Sequence, residues 1–168
     1  MREIRDGLSV DTEEFLDHRS ALEAAGLSER QAMSQENVES FKRALDAYNS
    51  RDVEAMVQEL DPEIEWHSAI SILLSEESTV YRGHEGIRDL FREEFNDVLT
   101  EIHVVYSEIR DLGDRVLAMG RIWMRGRDSG VETESRIALV SDISNGKTTW
   151  IHSYLDPQEA LEAAGLSE

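Results

Sequence analysis

Hydrophobic residues change their spacing along this chain, from a helical period in the first half to a strand-like alternation in the second. Apolar side chains recur every three or four positions in residues 34–48, directly after Ser34, a residue type that commonly caps helix N-termini. Two shorter stretches with the same period follow, one after Asp52 and one in residues 87–95. The pattern therefore predicts three helices, with a short strand at 64–67 between the second and the third.

The second half of the chain is rich in Val, Ile, Thr, Tyr and Trp, the residue types that strands favour. Turn residues such as Asn145-Gly146 interrupt it, and Asp156-Pro157 begins a terminal helix. The interruptions delimit four predicted strands, at residues 100–110, 114–126, 131–143 and 147–155. Residues 68–80 are predicted as a loop rich in Ser and Glu that carries an apolar patch at residues 70–74. The sequence thus predicts an α+β fold, with a curved, mostly antiparallel sheet that carries the three helices on its concave face.

The first residues of the chain repeat its last ones. Residues 21–29 and residues 160–168 both have the sequence ALEAAGLSE, and weaker similarity extends from there toward the N-terminal side without a gap. We interpret residues 1–32 as the remnant of a duplicated domain tail and residues 33–168 as the domain itself. Because the domain already holds its own copy, we expect the first copy to be peripheral: an irregular or strand-like stretch, then a short helix that ends at Gly26.

Charge and composition exclude several classes of partner. Acidic residues outnumber basic ones by 36 to 17, which gives a net charge of −19 at pH 7. Nucleic acids and anionic membranes are themselves negatively charged, so neither is expected to bind. The chain has no cysteine, which excludes disulfides and thiolate chemistry, and it begins without the apolar segment of a signal peptide. We therefore expect a cytoplasmic protein.

Three sequence motifs lie in the predicted domain: LDPEIEWH at residues 60–67, YRGHEGIRDLF at 81–91 and GRDSGVETE at 126–134. In this order they resemble the SnoaL-like branch of the nuclear transport factor 2-like superfamily. The resemblance implies a conical α+β barrel around one apolar cavity, and often a homodimer formed through the sheet. It does not specify one activity, because the superfamily includes polyketide cyclases, ketosteroid isomerases, epoxide hydrolases, dehydratases and proteins that only bind ligands.

The resemblance places His67 where ketosteroid isomerases have their catalytic base, and histidine is suited to that role because its ordinary pKa lies near neutrality. The tyrosine and the acid that complete the isomerase site fall at Ala44 and near Ala138, which argues against that activity. His152 shares one face of a predicted strand with Trp150 and Tyr154, opposite Ile151. If that face lines the cavity, His152 is the best candidate for a second polar group; if it meets a dimer partner, His152 belongs to the interface. We predict that His67 and His152 point into the same cavity as a catalytic acid–base pair.

Aromatic side chains are the remaining candidates for the wall of the cavity. The predicted ligand-binding residues are Tyr48, Trp66, Tyr81, Phe91, Phe95, Trp123 and Tyr154. No two histidines have the spacing of metal ligands, so neither a metal ion nor another cofactor is expected. Two functions stay open: a cofactor-independent isomerase, cyclase, dehydratase or hydrolase that acts on a hydrophobic small molecule, or a non-catalytic module for ligand binding or dimerisation.

Overall fold

The computed structural model describes residues 6–75 and 77–166 of the chain. The chain divides into two compact units with the boundary between Met33 and Ser34. The helices are α1 (Asp6–Asn49), α2 (Val53–Glu59), α3 (Ala69–Ser75), α4 (Gly83–Phe91) with a π-helical continuation (Arg92–Val98), and α5 (Pro157–Ala163). The strands are β1 (Leu60–Ser68), β2 (Thr79–Arg82), β3 (Leu99–Asp111), β4 (Arg115–Gly126), β5 (Glu132–Ser144) and β6 (Lys147–Tyr154). None of the described helices is both long enough and apolar enough to cross a membrane.

Helix α1 begins much earlier than the sequence pattern predicts. It is helical from Asp6 and continues through Gly26 and Ser34. The predicted irregular or strand-like stretch, the helix end at Gly26 and the helix start at Ser34 are therefore wrong. Ala, Leu and Glu are common in this segment, and such helix formers offset the roughly 1 kcal/mol that one glycine costs. The Ser34 hydroxyl donates a hydrogen bond to Asp111. The origin of residues 1–32 as a duplicated tail stays a prediction.

Six strands form one curved sheet in the order β2-β1-β6-β5-β4-β3. All neighbours are antiparallel except β1 and β6, which run parallel. The parallel pair sets Trp66 opposite Ile151 and His67 opposite His152. The predicted α+β class and the mostly antiparallel sheet are confirmed, and all four strands predicted in the second half are present with ends shifted by at most one residue.

The two faces of the sheet bury different sets of side chains. On the inner face, Trp66 and Ile151 join Tyr48 of α1 in the main hydrophobic core. On the outer face, Ala160 of α5 joins a smaller cluster around Val140. The described residues thus form five α-helices rather than the three predicted for the concave face. Helix α5 lies on the outer face, and α3 lies in the segment predicted as a loop.

Local sequence signals fix the starts of two short helices. The side chain of Asp52 accepts a hydrogen bond from the backbone N–H of Ala55 at the start of α2, and Asp156 accepts one from Gln158 at the start of α5. Both predicted starts are confirmed. Helix α3 escaped prediction because its seven residues hold too few turns for a helical period to be visible.

Gly120 lies where β4 passes very close to β3. A Cβ atom there would lie 2.6 Å from the Cα atom of Tyr106 and 2.8 Å from the carbonyl carbon of Val105, so the backbone would have to move. We predict that Gly120→Ala lowers the free energy of unfolding, measured by urea denaturation, by about 3 kcal/mol. In Gly26→Ala the new methyl group meets no atom within 4 Å, so this control should lose no stability. Equal stability of the two variants would contradict the close approach.

Candidate functional site

A cavity lies between helix α1 and the inner face of the sheet. Its volume is about 40 Å³, and its wall is almost entirely apolar. It is lined by Phe41, Ala44, Leu45, Tyr48, Met56, Trp66, Ile70, Val104, Tyr106, Ile137, Leu139, Ser141, Thr148, Ile151 and Ser153. The few polar atoms in this wall therefore decide which molecule can bind there.

Two residues that line the cavity each carry a buried polar atom with no hydrogen-bond partner among the described residues: Nε1 of Trp66 and Oγ of Ser141. Trp66 is 6% exposed and Ser141 is fully buried, so bulk water does not satisfy them. Ser153 differs, because its hydroxyl accepts a hydrogen bond from the backbone N–H of Ala69 and donates one to the carbonyl of His67. An unpaired buried polar group costs about 1–3 kcal/mol, so these two atoms favour a guest that pairs with them.

A buried carboxyl group is linked to the cavity through Tyr48. Glu94, in the π-helical continuation of α4, is only 2% exposed. The Tyr48 hydroxyl donates to its Oε2 at 2.6 Å, and the Ser68 hydroxyl donates to its Oε1 at 3.1 Å. Tyr48 lines the cavity whereas Glu94 does not, so the tyrosine stands between the carboxyl group and any guest. π-helical segments are often found at functional sites.

Burial raises the pKa of Glu94 to about 7, because the carboxylate loses its hydration in the core. The hydrogen bonds from Tyr48 and Ser68 favour the charged form and limit this rise, while the nearby carboxylate of Glu93 favours the neutral form. Burial and the charge of Glu94 in turn hold the pKa of Tyr48 well above its usual range. Glu94 thus exchanges a proton near neutral pH beside an apolar cavity, a property typical of functional groups.

Two of the residues predicted to bind a ligand line the cavity, and three lie in the core around them. Tyr48 and Trp66 form part of the wall. Tyr81, Phe91 and Phe95 are buried in the same core but are not part of the wall. The ring centroids of Phe91 and Phe95 lie 5.7 Å and 5.2 Å from that of Tyr48. This aromatic packing fixes the position of the Tyr48 ring.

His67 and His152 lie side by side, but on the outer face of the sheet. Their rings stack with centroids 4.9 Å apart and planes 10° apart. Trp66 and Ile151 occupy the adjacent inward positions, so alternation along the two strands turns both histidines away from the cavity. The prediction that they point into it is therefore wrong. Alternation separates the two faces of a strand, but it does not say which face meets the cavity.

The outer-face histidines belong to a row of rings and charged groups. His152 also stacks on Tyr154, with centroids 4.2 Å apart. Nε2 of His67 lies 2.6 Å from Oε1 of Glu65, and the other carboxylate oxygen of Glu65, Oε2, accepts a hydrogen bond from Arg82. These hydrogen bonds hold the pKa of Glu65 below its usual range. Burial, with a smaller effect of His67, holds the pKa of His152 below its usual range.

The remaining predicted ligand-binding residues, Trp123 and Tyr154, also face outward. Trp123 lies between the buried residues Ile122 and Met124, with the guanidinium of Arg125 over its ring. The prediction that Trp123 and Tyr154 line the cavity is therefore wrong, for the same reason as the prediction for the two histidines. The described residues contain no group of three or more His, Cys, Asp or Glu side chains that could hold a metal ion.

Sequence reasoning missed Glu94, although the sequence holds a signal for it. Ile87, Leu90 and Phe91 form the buried face of α4. Glu94 follows Phe91 by three positions and Ile87 by seven, which places its carboxyl group on that same face. A single carboxylate among apolar residues at helical spacing is therefore the sequence signal that identifies Glu94. Ser141 gives no comparable signal, because a serine on a strand is ordinary.

Glu94→Gln tests the buried proton. The raised pKa means that the folded state holds a proton that the unfolded state has already lost, so the stability contributed by this group is present below about pH 4.5 and declines as pH rises to about 7. We measure the free energy of unfolding of both proteins by urea denaturation and subtract the wild-type value from that of the variant. We predict that this difference increases by about 2 kcal/mol from pH 5.5 to pH 8.5. The exposed control Glu63→Gln should show no such trend. A difference that does not change with pH would contradict the raised pKa.

Solved structures of other proteins have the same fold. An NTF2-like protein of unknown function from Burkholderia pseudomallei is 16% identical, with a TM-score of 0.65 over 76% of this chain and 95% of that chain. TerC, co-crystallised with polyporic acid, is 21% identical, with a TM-score of 0.64 over 76% and 96%. An LEH-like epoxide hydrolase from M. tuberculosis is 16% identical, with a TM-score of 0.60 over 76% and 88%. At these identities the likeness establishes the fold alone.

Sequence comparison agrees with the fold. No curated protein sequence matches the chain significantly. A family model described as the SnoaL-like domain matches residues 41–151, more than half of the chain, and this range includes Tyr48, Trp66, Glu94 and Ser141. The family expected from the three sequence motifs is therefore confirmed. The chain belongs to the SnoaL-like domain family, and its fold is that of NTF2-like proteins.

Proposed function

We propose that the protein binds a small, neutral and mostly apolar molecule in its cavity, and that this molecule carries at least one hydrogen-bond acceptor. The observation that carries the proposal is that Trp66 lines a nearly apolar cavity while its indole N–H has no hydrogen-bond partner among the described residues. An indole N–H can only donate, so its partner is an acceptor such as a carbonyl or ether oxygen. The Ser141 hydroxyl both donates and accepts, and it supports a second polar contact.

The wall disfavours a charged guest. The residues that line the cavity include no Asp, Glu, Lys, Arg or His. A charge buried without a partner costs far more than a neutral polar group that finds a hydrogen bond. Anions are disfavoured further because Glu94 is ionised in part of the molecules near pH 7 and because the chain has a net charge of −19.

The volume of the cavity limits the size of the guest. A cavity of about 40 Å³ holds a few water molecules at roughly 10–15 Å³ each. For comparison, a cavity engineered in another protein that binds benzene measures about 150 Å³. A guest as large as a five- or six-membered ring therefore needs lining side chains to move. Met56 is the most adaptable of them, because its unbranched thioether side chain readily changes shape.

Proteins of the same fold support a small organic ligand as the guest. TerC was co-crystallised with polyporic acid, and another structure is that of an epoxide hydrolase. The acid–base pair predicted from the sequence, His67 and His152, is not part of this proposal, because both rings face away from the cavity.

We predict that cyclopentanone, a neutral ketone, moves the indole N–H resonance of Trp66 downfield, because its carbonyl oxygen accepts the free hydrogen bond. The measurement is a titration followed in proton–nitrogen correlation spectra. The chain has three tryptophans, and the outward-facing Trp123 and Trp150 serve as internal controls. Methylenecyclopentane, which has a similar shape but no oxygen, should leave the Trp66 resonance without the downfield shift.

Trp66→Phe keeps an aromatic ring but removes the donor. We expect it to weaken cyclopentanone binding by about five- to tenfold, the effect of one hydrogen bond, while the matched control Trp123→Phe binds like the wild type. Absence of binding, or a response confined to Trp123 and Trp150, would contradict the proposal.

The second proposed property is a homodimer formed through the outer face of the sheet. Val105 is 55% exposed on this face. Beside it, Arg121 pairs with Glu134 and Arg125 with Glu132. The net charge of the chain is −19, but the acidic residues named on this face are paired with arginines. The electrostatic repulsion of a second copy is therefore weaker at this face than at the rest of the surface.

Val105→Glu tests the dimer by adding a negative charge to an exposed position of that face. Sedimentation velocity should find a dimer for the wild type and a monomer for Val105→Glu, because like charges then meet across the two-fold axis. Val131→Glu is the matched control, since Val131 is equally exposed but lies in the turn before β5. A monomeric wild type, or equal dissociation in both variants, would contradict the proposal.

A further inference from the structure

We propose that a proton on Glu94 decides whether the Tyr48 hydroxyl donates a hydrogen bond into the cavity, so that the protein binds a carbonyl compound more tightly when Glu94 is protonated. This inference rests on the proposed function and names the class of ligand. It makes Glu94 a positioning residue that acts through Tyr48, the side chain that lines the cavity.

The ionised state leaves Tyr48 without a free proton. A carboxylate can only accept hydrogen bonds, and its two oxygens are held by Tyr48 at 2.6 Å and by Ser68 at 3.1 Å. The single hydroxyl proton of Tyr48 is then directed at Glu94. Toward the cavity the tyrosine offers only oxygen lone pairs, which repel a carbonyl oxygen and accept from an alcohol.

The protonated state reverses the bond between the two side chains. The carboxylic O–H of Glu94 donates to the Tyr48 oxygen across the same short distance, while Ser68 goes on donating to the other carboxyl oxygen. The hydroxyl proton of Tyr48 becomes free to point into the cavity. Together with the N–H of Trp66, it gives the wall two donors for a carbonyl oxygen.

The groups around Glu94 allow this exchange near neutral pH. Tyr48 and Ser68 are its hydrogen-bonding partners from α1 and β1, and Glu93 on its own helix is the nearby charge. Glu93 accepts a hydrogen bond from Tyr81 of β2 at 2.7 Å, which fixes it beside Glu94. Burial, with a smaller effect of Glu93, raises the pKa of Glu94 to about 7 against the opposing hydrogen bonds from Tyr48 and Ser68, so the proton leaves within the physiological range.

The test compares two probes at two pH values. Cyclopentanone only accepts hydrogen bonds, and its Kd should rise several-fold between pH 6 and pH 8, with about tenfold as the upper limit, because the protonated fraction of Glu94 falls about tenfold while Trp66 remains as a donor. Cyclopentanol both donates and accepts, so it finds a bond with Tyr48 in either state and its Kd should change little. Titrations followed at the Trp66 indole N–H measure both.

Two variants separate this role from a merely structural one. In Glu94→Gln the amide donates permanently to Tyr48, so cyclopentanone should bind at pH 8 as tightly as the wild type binds at pH 6, with no pH dependence. Tyr48→Phe removes the switched hydroxyl, so binding should be weaker and equal at both pH values. All five histidines remain in both variants and control for their titration.

The outcomes distinguish the two proposals. If cyclopentanone moves the Trp66 resonance but binds equally at pH 6 and pH 8, the role of Glu94 is overturned and the proposed ligand site stands. If Glu94→Gln retains the pH dependence of the wild type, the role of Glu94 is overturned as well. If the Trp66 resonance responds at neither pH, both proposals fail.

Discussion

The burial of one carboxyl group constrains the rest of this structure. Glu94 lies in the core, where hydrogen bonds from Tyr48 and Ser68 offset part of its lost hydration. These two partners come from α1 and β1, so the carboxyl group joins three elements that are distant in the sequence. The same burial that costs stability raises the pKa of the group to about 7. A structural cost and a functional property therefore have one physical cause.

The sheet separates this interior from a second, chemically different surface. Side-chain alternation on β1 and β6 sends Trp66 and Ile151 inward, and His67 and His152 outward. The inner face is apolar, with a few unpaired polar atoms suited to a neutral guest. The outer face carries stacked rings and ion pairs, which suit contact with another protein surface better than a small ligand. One sheet thus separates the proposed ligand site from the proposed interface.

The sequence predicted the fold well because the fold follows local rules. Turn residues such as Asn145-Gly146 and the cap at Asp156 mark element ends directly. The start of α1 was predicted wrongly because helix-forming residues extend the helix from Ser34 toward the N-terminus. Ser34 is a possible N-cap, but its hydroxyl donates a hydrogen bond to Asp111 instead. The candidate site was harder to predict. Which side of β1 faces the cavity depends on tertiary packing, and the choice reversed the roles of Trp66 and His67.

The central claim is that the core holds a carboxyl group that binds a proton near neutral pH. Carbon-13 NMR of protein labelled at the glutamate carboxyl carbons measures this directly, with the Glu94 signal assigned by its absence in Glu94→Gln. We predict that this signal titrates with a pKa of about 7, separate from the other glutamates. A Glu94 signal that titrates near 4.5, the ordinary value for glutamate, would show that the buried carboxyl group is ionised at neutral pH and contradict its proposed role.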